Sequence, residues 1–222
     1  MDGNSLSQRR PGRLWRVERG FSTIELLIVM AIGLVVTGIA LVSIAPSVKK
    51  SKSDIARELV LGEMRRAHER AIDERRIYRV TFVAPRTILV EVGTPANLKA
   101  RISGIASAGF AQAQAPLDLP QSIQFSVVSG IPTAAGAVPD GFGTGTNPID
   151  FDVNNGGSAI EIYFQPDGRA LDAFNRLNDG VVYIADPNEL LSSRAVSLYG
   201  STGRVKGWYL AQDTAGAYRW TQ

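Results

Sequence analysis

Residues 26–45 read LLIVMAIGLVVTGIALVSIA, twenty residues without a charge. As a helix they would span roughly 30 Å, the thickness of a bilayer's hydrocarbon core. The run is too long for the apolar core of a secretory signal, about 7 to 15 residues. A buried core helix rarely lacks a polar face over such a length. The sequence therefore predicts a transmembrane helix over 21–46, preceded by a separate leader over 1–20.

Charge supports that division. Of 24 basic and 21 acidic residues, Arg9, Arg10, Arg13, Arg16 and Arg19 and only Asp2 and Glu18 lie in the first twenty. The other 202 residues balance at zero, so the sequence pI near 9.3 belongs to the leader and not to a basic binding surface. By the positive-inside rule the arginines stay cytoplasmic and the C-terminal part is exported, with Lys49, Lys50 and Lys52 opposing that bias. With no cysteine and a single histidine, His68, the chain has no disulfide framework, thiolate metal site or multi-histidine centre. No cofactor is expected.

Glu25 borders the apolar run, where a carboxylate is costly unless partnered. It ends the string Arg19-Gly20-Phe21-Ser22-Thr23-Ile24-Glu25. RGFSTIELLIVMAIG resembles the N-terminal signature of type IV prepilins and pseudopilins. The resemblance implies that a prepilin peptidase cuts after Gly20. Phe21 then becomes the N-methylated first residue, and Glu25 is the acidic fifth residue that meets a neighbouring subunit's terminal amine in a filament. A charge pair then replaces two unpaired charges in an apolar setting. The implied partners are the peptidase, the inner membrane and other subunits, contacted through the N-terminal helix.

From 51 to 76 the apolar residues Ala56, Val60, Met64, Ala67 and Ala71 fall three or four apart, one stripe on a charged helix. This predicts an amphipathic continuation over 47–76, with a bend at Pro46 and a cap at Ser53 or Asp54. His68, among Arg65, Arg66, Glu69 and Arg70, is read as an exposed helix residue. Beyond 76 the period changes. Short branched and aromatic runs at 77–83, 87–92, 123–128, 149–153, 159–164, 181–185, 195–198 and 205–210 predict strands. No helical pattern separates them, so the expected fold is α+β: a long N-terminal helix packed on an antiparallel two-sheet β-sandwich head over 77–222. Residues 103–120 and 129–148 are predicted as long loops, mobile or partner-facing.

ARELVLGEMRRAHERAIDERRIYRVTF, IEIYFQPDGRA and AVSLYGSTGRVKGWYL are similar to segments of the GspH/FimT family of minor pseudopilins and pilins. Some members of that family bind DNA through a Gly-Arg-x-Arg turn, which Gly203-Arg204-Val205-Lys206 matches but for its final lysine. By that resemblance Arg204 and Lys206, with the nearby Arg219 and the aromatics Trp208, Tyr209, Tyr218 and Trp220, form a candidate DNA surface. A hairpin turn beside ordinary core aromatics is the plainer reading, and lysine loses arginine's planar, bidentate phosphate contact. Asp150, Asp152, Asn154 and Glu161 fall at calcium-loop spacing, but Asn155 stands where the loop needs glycine; a β-turn with Phe151 and Val153 inward is preferred. Asp167-Gly168 and Asp179-Gly180 are read as turns.

No Gly-x-Ser-x-Gly and no phosphate loop occur, so a non-enzymatic filament subunit is expected. It serves either a type II secretion pseudopilus or a type IV pilus. The alternatives are a DNA-binding minor pilin and a non-polymerising, single-pass anchored β-domain.

Overall fold

The computed structural model describes residues 22–93, 109–134, 136–156 and 159–222, with the backbone alone given for 39–49. Among the described residues one α-helix, α1 (Thr23–Asp73), leads into twelve strands. The chain divides into two compact units between Ile44 and Ala45. In the first, the helix exposes Ile24, Leu27, Met30, Leu34 and Val35, apolar on every side as a lipid-facing segment would be. Thr37 returns its hydroxyl to the Gly33 carbonyl at 2.7 Å, so its polar group is satisfied within the helix. Among the described residues no helix is long and apolar enough to cross a membrane. The uncharged run extends from Gly38 into residues whose side chains are not described.

In the second unit the helix buries the predicted stripe: Ala56, Val60, Met64, Ala67 and Ala71 are almost fully inaccessible. The backbone is helical through Pro46. Asp54 caps nothing; it lies inside the helix and pairs with Arg194 Nε at 2.6 Å. The helix stops at Asp73 because Arg75 turns left-handed (φ 52°). Arg76 N–H then bonds the Ala71 carbonyl at 3.2 Å, an overshooting bond that satisfies a carbonyl the helix leaves open.

Two antiparallel sheets follow. The first comprises β1 (Tyr78–Val83), β2 (Thr87–Gly93), β3 (Phe110–Gln112), β4 (Leu117–Asp118), β7 (Glu161–Phe164) and β8 (Ala170–Leu171), in the order β3-β2-β1-β7-β8 with β4 also on β2. The second comprises β5 (Gln124–Phe125), β6 (Ile149–Phe151), β9 (Gly180–Ala185), β10 (Arg194–Tyr199), β11 (Arg204–Gln212) and β12 (Tyr218–Thr221), in the order β12-β11-β10-β9-β5 with β6 also on β9. The helix stripe, Val80, Phe82, Ile88, Val90, Ile162 and Phe164 of the first sheet and Val182, Ile184, Val196, Leu198 and Val205 of the second form one core. Phe82 stacks on Phe151 with centroids 5.4 Å apart and meets Phe125 edge-on at 5.5 Å. The expected helix and two-sheet head is the observed fold.

Several expectations need correction. The predicted loop over 103–120 contains β3 and β4, both pairing with β2; residues 103–108 lie outside the described set. The strand predicted over 123–128 shrinks to two residues. Strands β8 and β12 were not anticipated, because two- and four-residue strands are made by their partners and not by periodicity. Asp179-Gly180 is not a turn. Gly180 opens β9 so close to β6 that a Cβ there would lie 2.4 Å from the Asp150 carbonyl and the Phe151 Cα.

The stretch 129–148 is irregular as expected, yet Ile131, Val138 and Pro139 within it are buried. Ile131 and Phe142 cover the second sheet's other side, with Val181, Tyr183, Ala195, Leu210 and Trp208 beneath them. Alternation along β9, β10 and β11 supplies apolar side chains to both faces, and a sheet apolar on both faces must be covered twice.

Candidate functional site

Three sets of residues were singled out in the sequence, and the structure treats them differently. Gly20 and Phe21 lie outside the described residues. Glu25 stands exposed in the first turn of α1, where a carboxylate is favoured by the helix dipole, and Leu26 N–H closes that turn on the Ser22 carbonyl at 3.1 Å. It lies outside the unit formed by residues 45–222.

The basic turn is a β10–β11 hairpin. Arg204 is exposed, its guanidinium 4.8 Å over the Tyr199 ring. Lys206 is occupied: its Nζ lies 2.6 Å from Asp140 Oδ1, and the Asp140 side chain is only 5% exposed. Ser197 also donates its hydroxyl to Asp140, and Trp208 Nε1 donates to the Ser197 oxygen at 2.9 Å. Asp140 itself sits at φ 54° in a 3₁₀ turn of the covering loop. Burial pushes the Asp140 carboxyl up, but hydrogen bonds from Lys206, Ser197 and Tyr199, reinforced by the lysine's charge, outweigh it and hold the group below its usual range. Register separates the third residue. Arg219 pairs with Ala211, one residue out of phase with the Arg204, Lys206 and Trp208 set, and so belongs to the opposite sheet face. It bonds Asp213 at 3.1 Å. Arg204, Lys206 and Arg219 therefore do not converge on one surface.

A consequence for pH follows. A carboxyl whose pKa is lower folded than unfolded stabilises the fold above its ordinary value, 3.8, and that stability is lost as the pH falls below it. Asp140→Asn is expected to lower stability at pH 7 and to reduce the loss of stability between roughly pH 4 and pH 2. Urea unfolding of the full chain in detergent, followed by tryptophan fluorescence, measures both.

The calcium-like spacing yields carboxylates committed to separate partners. Asp150 accepts the Thr144 N–H at 2.9 Å, and Asp152 bonds Arg176 at 2.9 Å and Asn155. Asn154 donates to Asp179, while Glu161 accepts the Tyr163 hydroxyl at 2.6 Å. Among the described residues no group of three or more acidic or histidine side chains is placed to hold a metal. Phe151 points inward as expected, but Val153 does not. Asp152 turns left-handed (φ 66°), and Val153 starts a 3₁₀ turn and is only half-buried.

Other polar contacts were not read from the sequence, and those of His68 and Glu63 reach partners 100 and 51 residues away. His68 is half-buried, not exposed. Its Nε2 donates to the Gly168 carbonyl at 2.9 Å, and its ring lies 5.5 Å from that of Phe164. Glu63 is buried under Gln114 Nε2 at 2.7 Å and Arg66 at 2.8 Å. Asp172, also buried, accepts from the Phe174 and Arg176 amides and from Arg176 Nε, pinning the connection between β8 and β9. Arg79 bonds Glu91 at 2.7 Å and lies 4.5 Å over the Phe110 ring. Each is a local lock, and none forms a pocket with a reactive group.

Comparison with known proteins bears on the N-terminus. Residues 15–41 match the model of the prokaryotic N-terminal methylation motif. The chain carries a prokaryotic N-terminal methylation motif. The matched residues include Gly20, Phe21 and Glu25, together with most of the uncharged run described above. No curated protein matches the chain by sequence. Among solved structures there is a likeness to the minor pseudopilin EpsH from the type 2 secretion system of Vibrio cholerae, at 11% identity and a TM-score of 0.34. It covers 77% of this chain and 96% of that one.

Proposed function

We propose that this chain is a minor structural subunit of a type II secretion pseudopilus or a type IV pilus, of the GspH/FimT kind. The leader motif at 15–41 carries the reading. Prepilin peptidase removes residues 1–20, Phe21 is methylated, and α1 holds the protein in the inner membrane before packing among other subunits. The N-terminus is cytoplasmic and the head periplasmic. The head works through protein contacts, and its buried Glu63 and Asp140 and its histidine are tied to structural partners.

DNA capture by the C-terminal turn is the weaker reading. Lys206 is neutralised by Asp140, and Arg219 lies on the other face, which leaves Arg204 to supply a phosphate contact from the three residues named. The deciding experiment is intact-mass measurement and N-terminal sequencing of the protein from membranes of cells with and without prepilin peptidase. A methylated Phe21 terminus that depends on the peptidase is expected. A Met1 start in both strains would leave an anchored β-domain and end the filament reading.

A further inference from the structure

Strand β12 is the outer strand of the second sheet: it pairs with β11 from Tyr218 to Thr221, and no described strand lies on its other side. An edge of this kind presents unpaired backbone N–H and C=O groups to any extended chain alongside. Natural edges are commonly blunted by a proline, a bulge or an inward-pointing charge; Tyr-Arg-Trp-Thr has neither proline nor bulge, and its one charge is Arg219.

Beside this edge lies a cavity of about 390 Å³, lined by Pro132, Gly136 and Ala137 of the covering loop and by Tyr218, Arg219 and Trp220. Its floor is firm, since Trp220 packs on the buried Tyr183 ring at 5.7 Å. Trp220 Nε1 is itself buried and has no acceptor among the described residues. On the sheet's other face Arg219 is 74% exposed, and its single ion pair to Asp213 leaves guanidinium donors for a second carboxylate.

We propose that β12 is a docking edge for an extended acidic peptide segment of a partner protein, which adds to the second sheet as its next strand. The chemistry sets the pattern of that segment. Alternate side chains of an added strand fall on opposite faces. Residues opposite Tyr218 and Trp220 meet the shelf of Pro132 and Ala137 and must be apolar. The residue between them lies opposite Arg219 and must be acidic, giving an apolar-acidic-apolar strand. A second copy of this chain fits less well, because β12 paired with itself about Arg219 sets two guanidinium groups opposite each other.

The test titrates the full-length protein in detergent with a synthetic nine-residue peptide whose centre is Val-Glu-Val, read by tryptophan fluorescence and calorimetry. Binding is expected. A Val-Lys-Val peptide should bind roughly fivefold more weakly, as a like-charged cross-strand pair replaces an opposite-charged one. N-methylation of the amides facing β12 should abolish binding, and Arg219→Glu should reverse the preference between the two peptides. The proposal is overturned if Val-Glu-Val does not bind, if both peptides bind equally, or if binding survives N-methylation. Concentration-dependent dimerisation with no peptide binding would assign the edge to a second copy and likewise overturn it.

Discussion

Replacing Glu25 by alanine is expected to leave membrane insertion and leader removal at parental levels and to lower filament incorporation by at least about tenfold. Insertion depends on the uncharged run over 26–45, which the substitution lengthens. Cleavage in the proposed reading occurs after Gly20, five residues away. The helix itself survives, because alanine's higher helix propensity offsets a first-turn dipole contribution of about 0.3 to 1 kcal/mol. What alanine cannot supply is a counter-charge for a terminal amine in an apolar filament core, and an uncompensated buried charge costs about 3 to 5 kcal/mol. Glu25 also lies outside the unit formed by residues 45–222, so thermal unfolding of the head should not change. Sheared filaments quantified against the membrane pool provide the measurement. Normal incorporation of the variant would remove Glu25 from any role in assembly.

The largest effect on stability is expected at the basic turn, and it has nothing to do with charge. Gly203 sits at φ +63°, and a Cβ built there would lie 2.5 Å from the Gly168 carbonyl oxygen and 2.5 Å from His68 Cδ2 and Nε2. A β-branched residue is strained in that backbone region and also has no room. Gly203→Val should therefore cost about 3 kcal/mol or more, from backbone strain and overpacking together. For a chain of this size that lowers the Tm by roughly 6 to 12 °C. The two causes can be separated. In a His68→Ala background Gly203→Ala should cost less than in the parent, since one obstacle is gone, but the cost should not vanish because the Gly168 carbonyl remains. Additive costs in that double-mutant cycle would show that the imidazole does not constrain the turn.

The same turn shows where reading the sequence stops. Gly203-Arg204-Val205-Lys206 is legible as a glycine followed by two cations, and the glycine is indeed required. Its requirement comes from His68 and Gly168, which are 135 and 35 residues away along the chain. Asp140 lies 66 residues from Lys206 inside a stretch that the sequence presents as a loop rich in small residues. No periodicity marks an acid that turns left-handed to reach a lysine on a neighbouring sheet. The helix stripe was legible because its contacts repeat every three or four residues along one element. Strands β8 and β12 were not, because two to four residues carry too short a period to stand out.

By itself the sequence determined the N-terminal methylation motif: Gly20, Phe21, Glu25 and the uncharged run are contiguous, so the motif is legible in local order alone. It also determined the amphipathic helix and most of the strands, whose burial follows from period alone. Only the tertiary structure decided which charges are free. Lys206, Glu63, His68 and Asp54 look alike in a sequence as exposed polar residues, yet each is tied to a residue brought near by sheet register or by the packing of the helix. The reason is physical. Hydrophobic patterning is an average over neighbours in the chain, whereas an ion pair or hydrogen bond requires two particular atoms within about 3 Å, a distance fixed by the fold as a whole.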